Sequence, residues 1–187
     1  MRVRSFTRVV VSALCACLLV TLMFPATGHA KTAQEIDASV NAVLDRFMAQ
    51  VKNSNQFLHN AKGVLVFAGV IKAGIGIGGE YGEGALRIGG KTAAYYSIGA
   101  ASIGLQLGAQ KKDIIIVFLQ DEALKKFQMS QGWQVGVDGS VVVVDLGADA
   151  SIDTTKINQP VVGFVIGQKG LMYNLTLEGS KISKLKK

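Results

Sequence analysis

Cysteine is nearly missing from this 187-residue chain: there are 2, Cys15 and Cys17, and both fall within the first 30 residues. Beyond residue 30 no thiol is left, which excludes disulfides, a cysteine zinc site and a cysteine nucleophile there. Histidine is as scarce. Of the 2 present, His29 lies close to the cysteines and His59 stands alone in a polar stretch. One ring cannot make a histidine metal site, and His59 in its polar stretch reads as a solvated loop residue rather than the base of a Ser-His-Asp triad. The 2 prolines leave strands and helices almost uninterrupted. Arginine and interleaved aromatic residues are too few for a nucleic-acid surface. No linker and no low-complexity block divides residues 31–187.

What is plentiful is glycine, 22 residues in all, gathered most densely between Gly69 and Gly108. From Gly74 to Gly84 every even position is Gly except Glu80, while the odd positions carry Ile75, Ile77, Gly79, Tyr81 and Glu83. A second copy follows, with Ala101, Ile103, Leu105 and Leu107 on one face and Ala100, Ser102, Gly104, Gln106 and Gly108 on the other. Alternation of this kind is a strand signature, because successive side chains point to opposite faces. Glycine weakens a strand, so a run of it in register implies that something packs closely on that face. That something is another backbone, a helix or a ligand chain. The same glycines permit bulges and sharp coiling. Tight sheet packing is the plain use of this face. The functional use makes Gly74, Gly76 and Gly78 the floor of an apolar pocket.

The first 30 residues read as an export signal. Arg2, Arg4 and Arg8 form a basic start, Val9 to Phe24 is uncharged and largely apolar, and Gly28-His29-Ala30 supplies small residues for cleavage. The apolar run is too short and wrongly flanked for a membrane span. Leu14-Cys15-Ala16-Cys17 is the competing signal, a lipobox that would anchor the chain through an acylated Cys17. The apolar run continues past Cys17 to Met23, which favours cleavage after Ala30. Residues 31–187 then form one domain carrying 17 of the 20 basic residues and all 13 acidic ones. The expected location is periplasmic or secreted, with peripheral membrane association; the alternative is a lipoprotein anchored at Cys17.

Along the domain, Thr32-Ala33-Gln34-Glu35 is a capping box. The helix behind it sets Ile36, Val40, Val43, Leu44, Phe47, Met48 and Val51 on one stripe, ending near Lys52-Asn53. A helical turn over 54–60 follows. Strands are expected over 64–70, through the glycine stretch, over 91–97 and over 114–119, the last apolar enough for a sheet centre. Lys111-Lys112-Asp113 reads as a polar turn. Asp121-Glu122 opens a short helix over 123–128, with its acids at the positive end of the dipole. Gln134 to Leu146 reads as a hairpin about Asp138-Gly139, extended by 148–153. Segments 160–167 and 171–177 read as a further pair.

Motifs for chemistry are thin. Gly74-Ile75-Gly76-Ile77-Gly78-Gly79 spells G-x-G-x-x-G, but more strand follows where a dinucleotide site needs a helix. Ala85 to Thr92 is one residue short of a phosphate loop and again lacks the helix. Glu80 and Glu83 lie on opposite strand faces, which does not suit a facing carboxylate pair. Positive charge is what remains. Lys111-Lys112, Lys125-Lys126 and the lysines of the C-terminal tail, Lys181 and Lys184 among them, suit an anionic phospholipid surface at about 1 kcal/mol per lysine.

Five segments taken together resemble the SYLF domain: A-K-G-V-L-V-F (61–67), G-I-G-I-G-G-E-Y-G-E-G (74–84), Tyr96-Ser97 with S-I-G-L-Q-L-G-A-Q (102–110), I-I-I-V-F (114–118) and G-W-Q-V-G-V-D-G-S-V (132–141). The resemblance covers nearly all of 33–187. It implies binding of phosphoinositides and other anionic phospholipids without catalysis, and some eukaryotic members also bind actin. Eukaryotic members use a basic amphipathic N-terminal segment for lipid. Here the 33–52 helix mixes Glu35, Asp37 and Asp45 with Arg46 and Lys52, so its stripe is expected to pack on the sheet.

The expectation is a single α+β domain over 31–187. It sets an N-terminal amphipathic helix and short helices on a twisted, mostly antiparallel, glycine-rich sheet that closes toward a barrel. Its expected work is non-enzymatic binding of anionic phospholipid, phosphoinositide-type headgroups included, at a bacterial envelope membrane. The residues expected to make the contact are Lys111, Lys112, Lys125, Lys126, Lys181 and Lys184. No cofactor, metal, nucleic acid or small-molecule substrate is expected. The alternative is a structural envelope protein whose glycine-faced strands self-associate.

Overall fold

The computed structural model describes residues 30–144, 152, 159–170, 177 and 179–187, leaving aside the side chains of 103–107 and 170. Residues 31–187 form one compact unit. Helices α1 (Ala33–Gln50) and α2 (Ser54–His59) lead into two long strands, β1 (Gly63–Ile88) and β2 (Lys91–Phe118). Helix α3 (Asp121–Met129) follows, then β3 (Trp133–Gln134), β4 (Val142–Val144), β5 (Val161–Gly170) and β6 (Lys181–Leu185).

Helix α1 starts where the capping box predicts. The Thr32 hydroxyl accepts from the Glu35 N–H at 3.2 Å, and the Glu35 carboxylate accepts from the Thr32 N–H at 2.7 Å. Its stripe buries Ile36, Val40, Val43 and Phe47.

The two long strands are one hairpin, paired antiparallel from Gly63–Phe118 to Ile88–Lys91. Its tip is Gly89-Gly90, with φ of 56° and 77°. A two-residue turn of this hand needs positive φ at both positions, which glycine supplies without strain. The other edge of β2 carries β6 against residues 95–99 and β5 against residues 110–118. β3 extends β6, and β4 lies parallel to β5. The six described strands make a curled half-barrel with helices on it, the α+β class expected from the sequence.

The curl comes from β1. Its pairing with β2 shifts register between Phe67 and Val70 and again between Ile75 and Ile77, each place holding a glycine with positive φ, Gly69 and Gly76. The strand thereby folds back over itself. A Cβ added at Gly82 would strike Val70, and one at Gly84 would strike the Val66 carbonyl and the Phe67 ring. The glycine face is therefore where the second half of β1 lies directly on its first half, the close backbone approach expected of it.

Both sheet faces are buried near the hairpin's ends. Leu65, Phe67, Val70, Leu86, Ile98, Ile114, Ile116 and Phe118 turn inward and pack with Leu124 and Phe127 of α3 and with Trp133. Val66, Ala68, Ala85, Ile115, Val117 and Phe164 turn outward beneath the α1 stripe. This explains the unbroken apolar run 114–118: each face meets a core.

Three local expectations are corrected. Lys111-Lys112-Asp113 is no turn, because β2 runs through it without a break. The Asp138-Gly139 stretch is a tight turn, but it joins no hairpin: β3 pairs with β6 and β4 with β5. The Asp138 carboxylate instead accepts from the Gln134 N–H at 2.6 Å, and Gly139 lies against the Trp133 ring. Finally, 91–97, 100–108 and 114–118 are parts of one strand, and 64–70 and 74–84 are parts of another. The expected extension over 148–153 and the pair partner over 171–177 lie outside the described residues, Ile152 and Leu177 apart.

Candidate functional site

The outer face of the hairpin is covered at its ends and bare in its middle. Past the first register shift the odd positions of β1 point outward. Ile71, Ile75, Ile77 and Tyr81 are 56%, 80%, 72% and 56% exposed, with Ala73 and Gly79 exposed between them. Their partners across β2 include Lys111, Ala109, Ala101 and Gly99. Scattered exposed apolar residues are ordinary, but a contiguous row of them marks a contact surface.

Register places charge at both ends of this row. Ile71 pairs with Lys111 on β2, and Lys111 pairs with Lys169 on β5. Both lysines are exposed. Like charges facing each other across strands repel, so this pair is unfavourable until an anion joins it. At the far end Tyr81 pairs with Gly99, and Gly99 pairs with exposed Lys181 on β6. A lysine, or two, therefore closes each end of an apolar row.

Two acids mark where the covered parts begin. Asp113 accepts from Arg46 of α1 at 2.7 Å and from the Gly69 N–H at 2.7 Å, tying the helix to the first bulge. Glu83 accepts from the Tyr81 hydroxyl at 3.0 Å and from Lys187 at 3.3 Å. Partial burial, and then the Glu83 carboxylate, push the Tyr81 hydroxyl above its usual pKa. Nearer the hairpin tip, Asp37 of α1 accepts from Thr92 at 2.7 Å and Tyr95 at 2.8 Å and pairs with Arg87 at 3.3 Å. The Thr92 hydrogen bond, with that of Tyr95 and the charge of Arg87 and against the pull of burial, holds the Asp37 carboxyl below its usual pKa.

The six lysines expected from the sequence separate. Lys111 and Lys181 fall at opposite ends of the bare row. Lys184 is exposed further along β6, and Lys125 and Lys126 are exposed on α3, where Lys126 pairs with Glu122 at 3.1 Å. Lys112 is corrected: it is buried. Alternation in an unbroken strand turns it inward beside Gln110, and its Nζ lies 3.1 Å from Glu80 Oε2 with the side chain fully enclosed. Neither Lys112 Nζ, Glu80 Oε1 nor the Gln110 amide makes a well-directed hydrogen bond to a described residue. Glu80 and Glu83 are each committed to a lysine.

Gly74, Gly76 and Gly78, the expected pocket floor, line neither the groove at the hairpin tip nor the one beside α3. A Cβ on Gly74 would collide with Gly78, so that space is already filled by backbone, and Gly76 faces open space. What the sequence reading missed is the row Ile71, Ile75, Ile77 and Tyr81, together with Lys169. The available signal was the isoleucines opposite the glycines: one face is closed by backbone, which leaves the other as the site of contact.

Comparison with known proteins agrees with the sequence resemblance. Residues 99–187 match the family model for Ysc84, described as Las17-binding protein actin regulator. A relative from Xenopus laevis, SH3 domain-containing YSC84-like protein 1, is 28% identical over 131 residues, 67% of this chain. The matched part is 39% of that relative's length. The matched family segment begins within β2 and contains Lys111, Lys169 and Lys181, while the exposed row of β1 precedes it.

Proposed function

We propose, from the match of residues 99–187 to the Ysc84 (SYLF) family model, that this domain binds anionic phospholipid without catalysis, laying the bare outer face of its hairpin on a membrane. The observation that carries the reading is the exposed row Ile71, Ile75, Ile77 and Tyr81 held between Lys111 with Lys169 and Lys181. Fully burying an isoleucine side chain contributes about 1.5–3 kcal/mol. Each lysine near an anionic surface adds about 1 kcal/mol. A headgroup phosphate between Lys111 and Lys169 also removes their mutual repulsion. Tyr81 has the apolar body and polar tip favoured at a membrane interface. Headgroups of the phosphoinositide type bring the most charge to such a lysine pair.

The setting is an envelope membrane reached by export, on the strength of the basic start and apolar run of residues 1–30. The mature protein is then periplasmic or secreted and peripherally attached, with a Cys17-anchored lipoprotein as the other processing outcome. Among the described residues no helix is long and apolar enough to cross a membrane.

Sedimentation with phosphatidylcholine vesicles, with and without anionic lipid or phosphoinositide, tests the reading. Binding should require the anionic component and fall as salt rises past about 0.15 M, where exposed charges beyond about 8 Å are screened. Ile75→Asp with Ile77→Asp, and separately Lys111→Glu with Lys169→Glu, should each weaken it at least about tenfold, or 1.4 kcal/mol. Undiminished binding by both double variants would contradict it. One observation favours a second reading: β1 is paired along one edge, to β2, among the described residues. If a second copy covers the row instead, light scattering in lipid-free solution will rise with concentration, and Ile75→Asp with Ile77→Asp will abolish the rise.

A further inference from the structure

A groove of about 500 Å3 runs between α1, α2 and the tip of the long hairpin. Leu44 and Met48 of α1, Leu58 of α2 and Val64 at the start of β1 supply its apolar wall, Arg87 supplies its charge, and the His59 ring lies on the same lining. We propose that this groove binds a single aliphatic chain ending in an oxyanion, a fatty carboxylate or an alkyl phosphate. The site is separate from the bare row, and the proposal does not rest on the membrane reading.

The volume lies within the range of small-molecule sites, about 300–1,000 Å3, which are mostly apolar with a few convergent polar groups. The wall is unfinished core. Leu44, Leu58 and Val64 pack against the outer cluster while remaining half-buried, and Met48 is 39% exposed. Nothing among the described residues covers them. Methionine adapts its shape readily to an apolar guest.

The charge fixes the kind of end group. Among the described residues the groove is lined by an arginine and a histidine and by no carboxylate. Arg87 uses Nη2 on Asn41, itself a lining residue, at 2.8 Å and on Asp37 at 3.3 Å. Its buried Nε has no hydrogen-bond partner among the described residues. A guanidinium carries five N–H donors, so Arg87 retains unused donors after holding α1. A cationic amphiphile would meet repulsion here, and an uncharged one would leave those donors unanswered.

Titration calorimetry of the purified protein tests this, using dodecanoate and dodecyl phosphate below their micelle concentrations, with dodecanol and dodecyltrimethylammonium as controls. At least one anion should bind saturably at one per chain, and the tighter of the two identifies the natural end group. Dodecanol and the cation should bind at least about tenfold more weakly. Arg87→Gln should remove the preference for the anion over dodecanol. Arg87 also ties α1 to the hairpin, so Met48→Glu gives an independent reading from an exposed position: it should abolish anion binding without changing the circular dichroism. The proposal is overturned if neither anion binds saturably, if dodecanol binds as tightly as the better anion, or if Met48→Glu binds like the parent.

Discussion

The outer face of one hairpin is finished in two different ways. Around Val66, Ala68, Ala85, Ile115 and Val117 it lies beneath α1, and the residues that meet there are almost wholly enclosed. From Ile71 to Tyr81 the same face carries the same kind of side chain and nothing covers it among the described residues. The two halves differ in register. The bulge at Gly69 turns β1 away from the helix, and Asp113 fastens the helix edge to that bulge. Apolar side chains under the helix serve stability. Those beyond the bulge contribute little to folding and are available for contact with a surface.

The largest expected effect contrasts the halves directly. Phe47→Ala, under the helix, should destabilise the protein by about 3–5 kcal/mol, the usual range for a fully buried ring. Ile75→Ala, on the bare half, should stay within about 0.5 kcal/mol, as for a surface substitution. Urea denaturation midpoints decide it, and similar losses at both sites would mean that the bare half is covered in solution.

An intermediate effect separates the two uses of glycine. Gly84→Ala forces a methyl into the Val66 carbonyl and should destabilise by about 1–3 kcal/mol through overpacking. Gly76→Ala meets open space, and its left-handed φ of 69° should be its sole penalty, about 1–2 kcal/mol. The two are told apart by Gly76→Asn, which tolerates that backbone and should recover part of the loss. An equal loss for Gly76→Ala and Gly76→Asn would show steric contact there.

The smallest effect concerns the covered half. The Asp37 carboxyl is held below its usual pKa by Thr92, Tyr95 and Arg87. Its contribution is therefore full above the unfolded value of about 3.9 and fades as pH falls through the lower folded value. Asp37→Asn should be less stable than the parent at neutral pH, and the gap should narrow below about pH 4. A gap that persists unchanged into acid would remove the carboxylate from the link between helix and sheet.

Much of the covered half was legible in the sequence. The capping box at Thr32, the spacing from Ile36 to Phe47 and the apolar run 114–118 each state a local rule that the fold obeys. The glycine alternation also announced that something packs closely on that face, another backbone being one of the candidates. The bare half was harder. Alternation shows that Ile75 and Ile77 share a face, but which face a helix covers depends on a bulge set by the positive φ at Gly69. Lys112 was misplaced because two adjacent lysines and an aspartate suggest a turn. Inside a strand, parity sends Lys111 outward and Lys112 inward. Lys169 and Lys181 reach the rim through pairing with β2 across long sequence separations, which no local pattern records.

On the proposed function, the bare half of the hairpin meets a membrane. The most direct test is Ile77→Trp, read by fluorescence against vesicles whose acyl chains carry bromine. Trp133 is 3% exposed and held against Phe127 in the inner core, so it supplies a constant background. On adding anionic vesicles, the emission of the residue at 77 should shift to the blue and be quenched by the brominated chains. Neither change should occur with purely zwitterionic vesicles. Emission that stays red and unquenched while the protein sediments with anionic vesicles would contradict the claim, because the membrane would then be touching another surface.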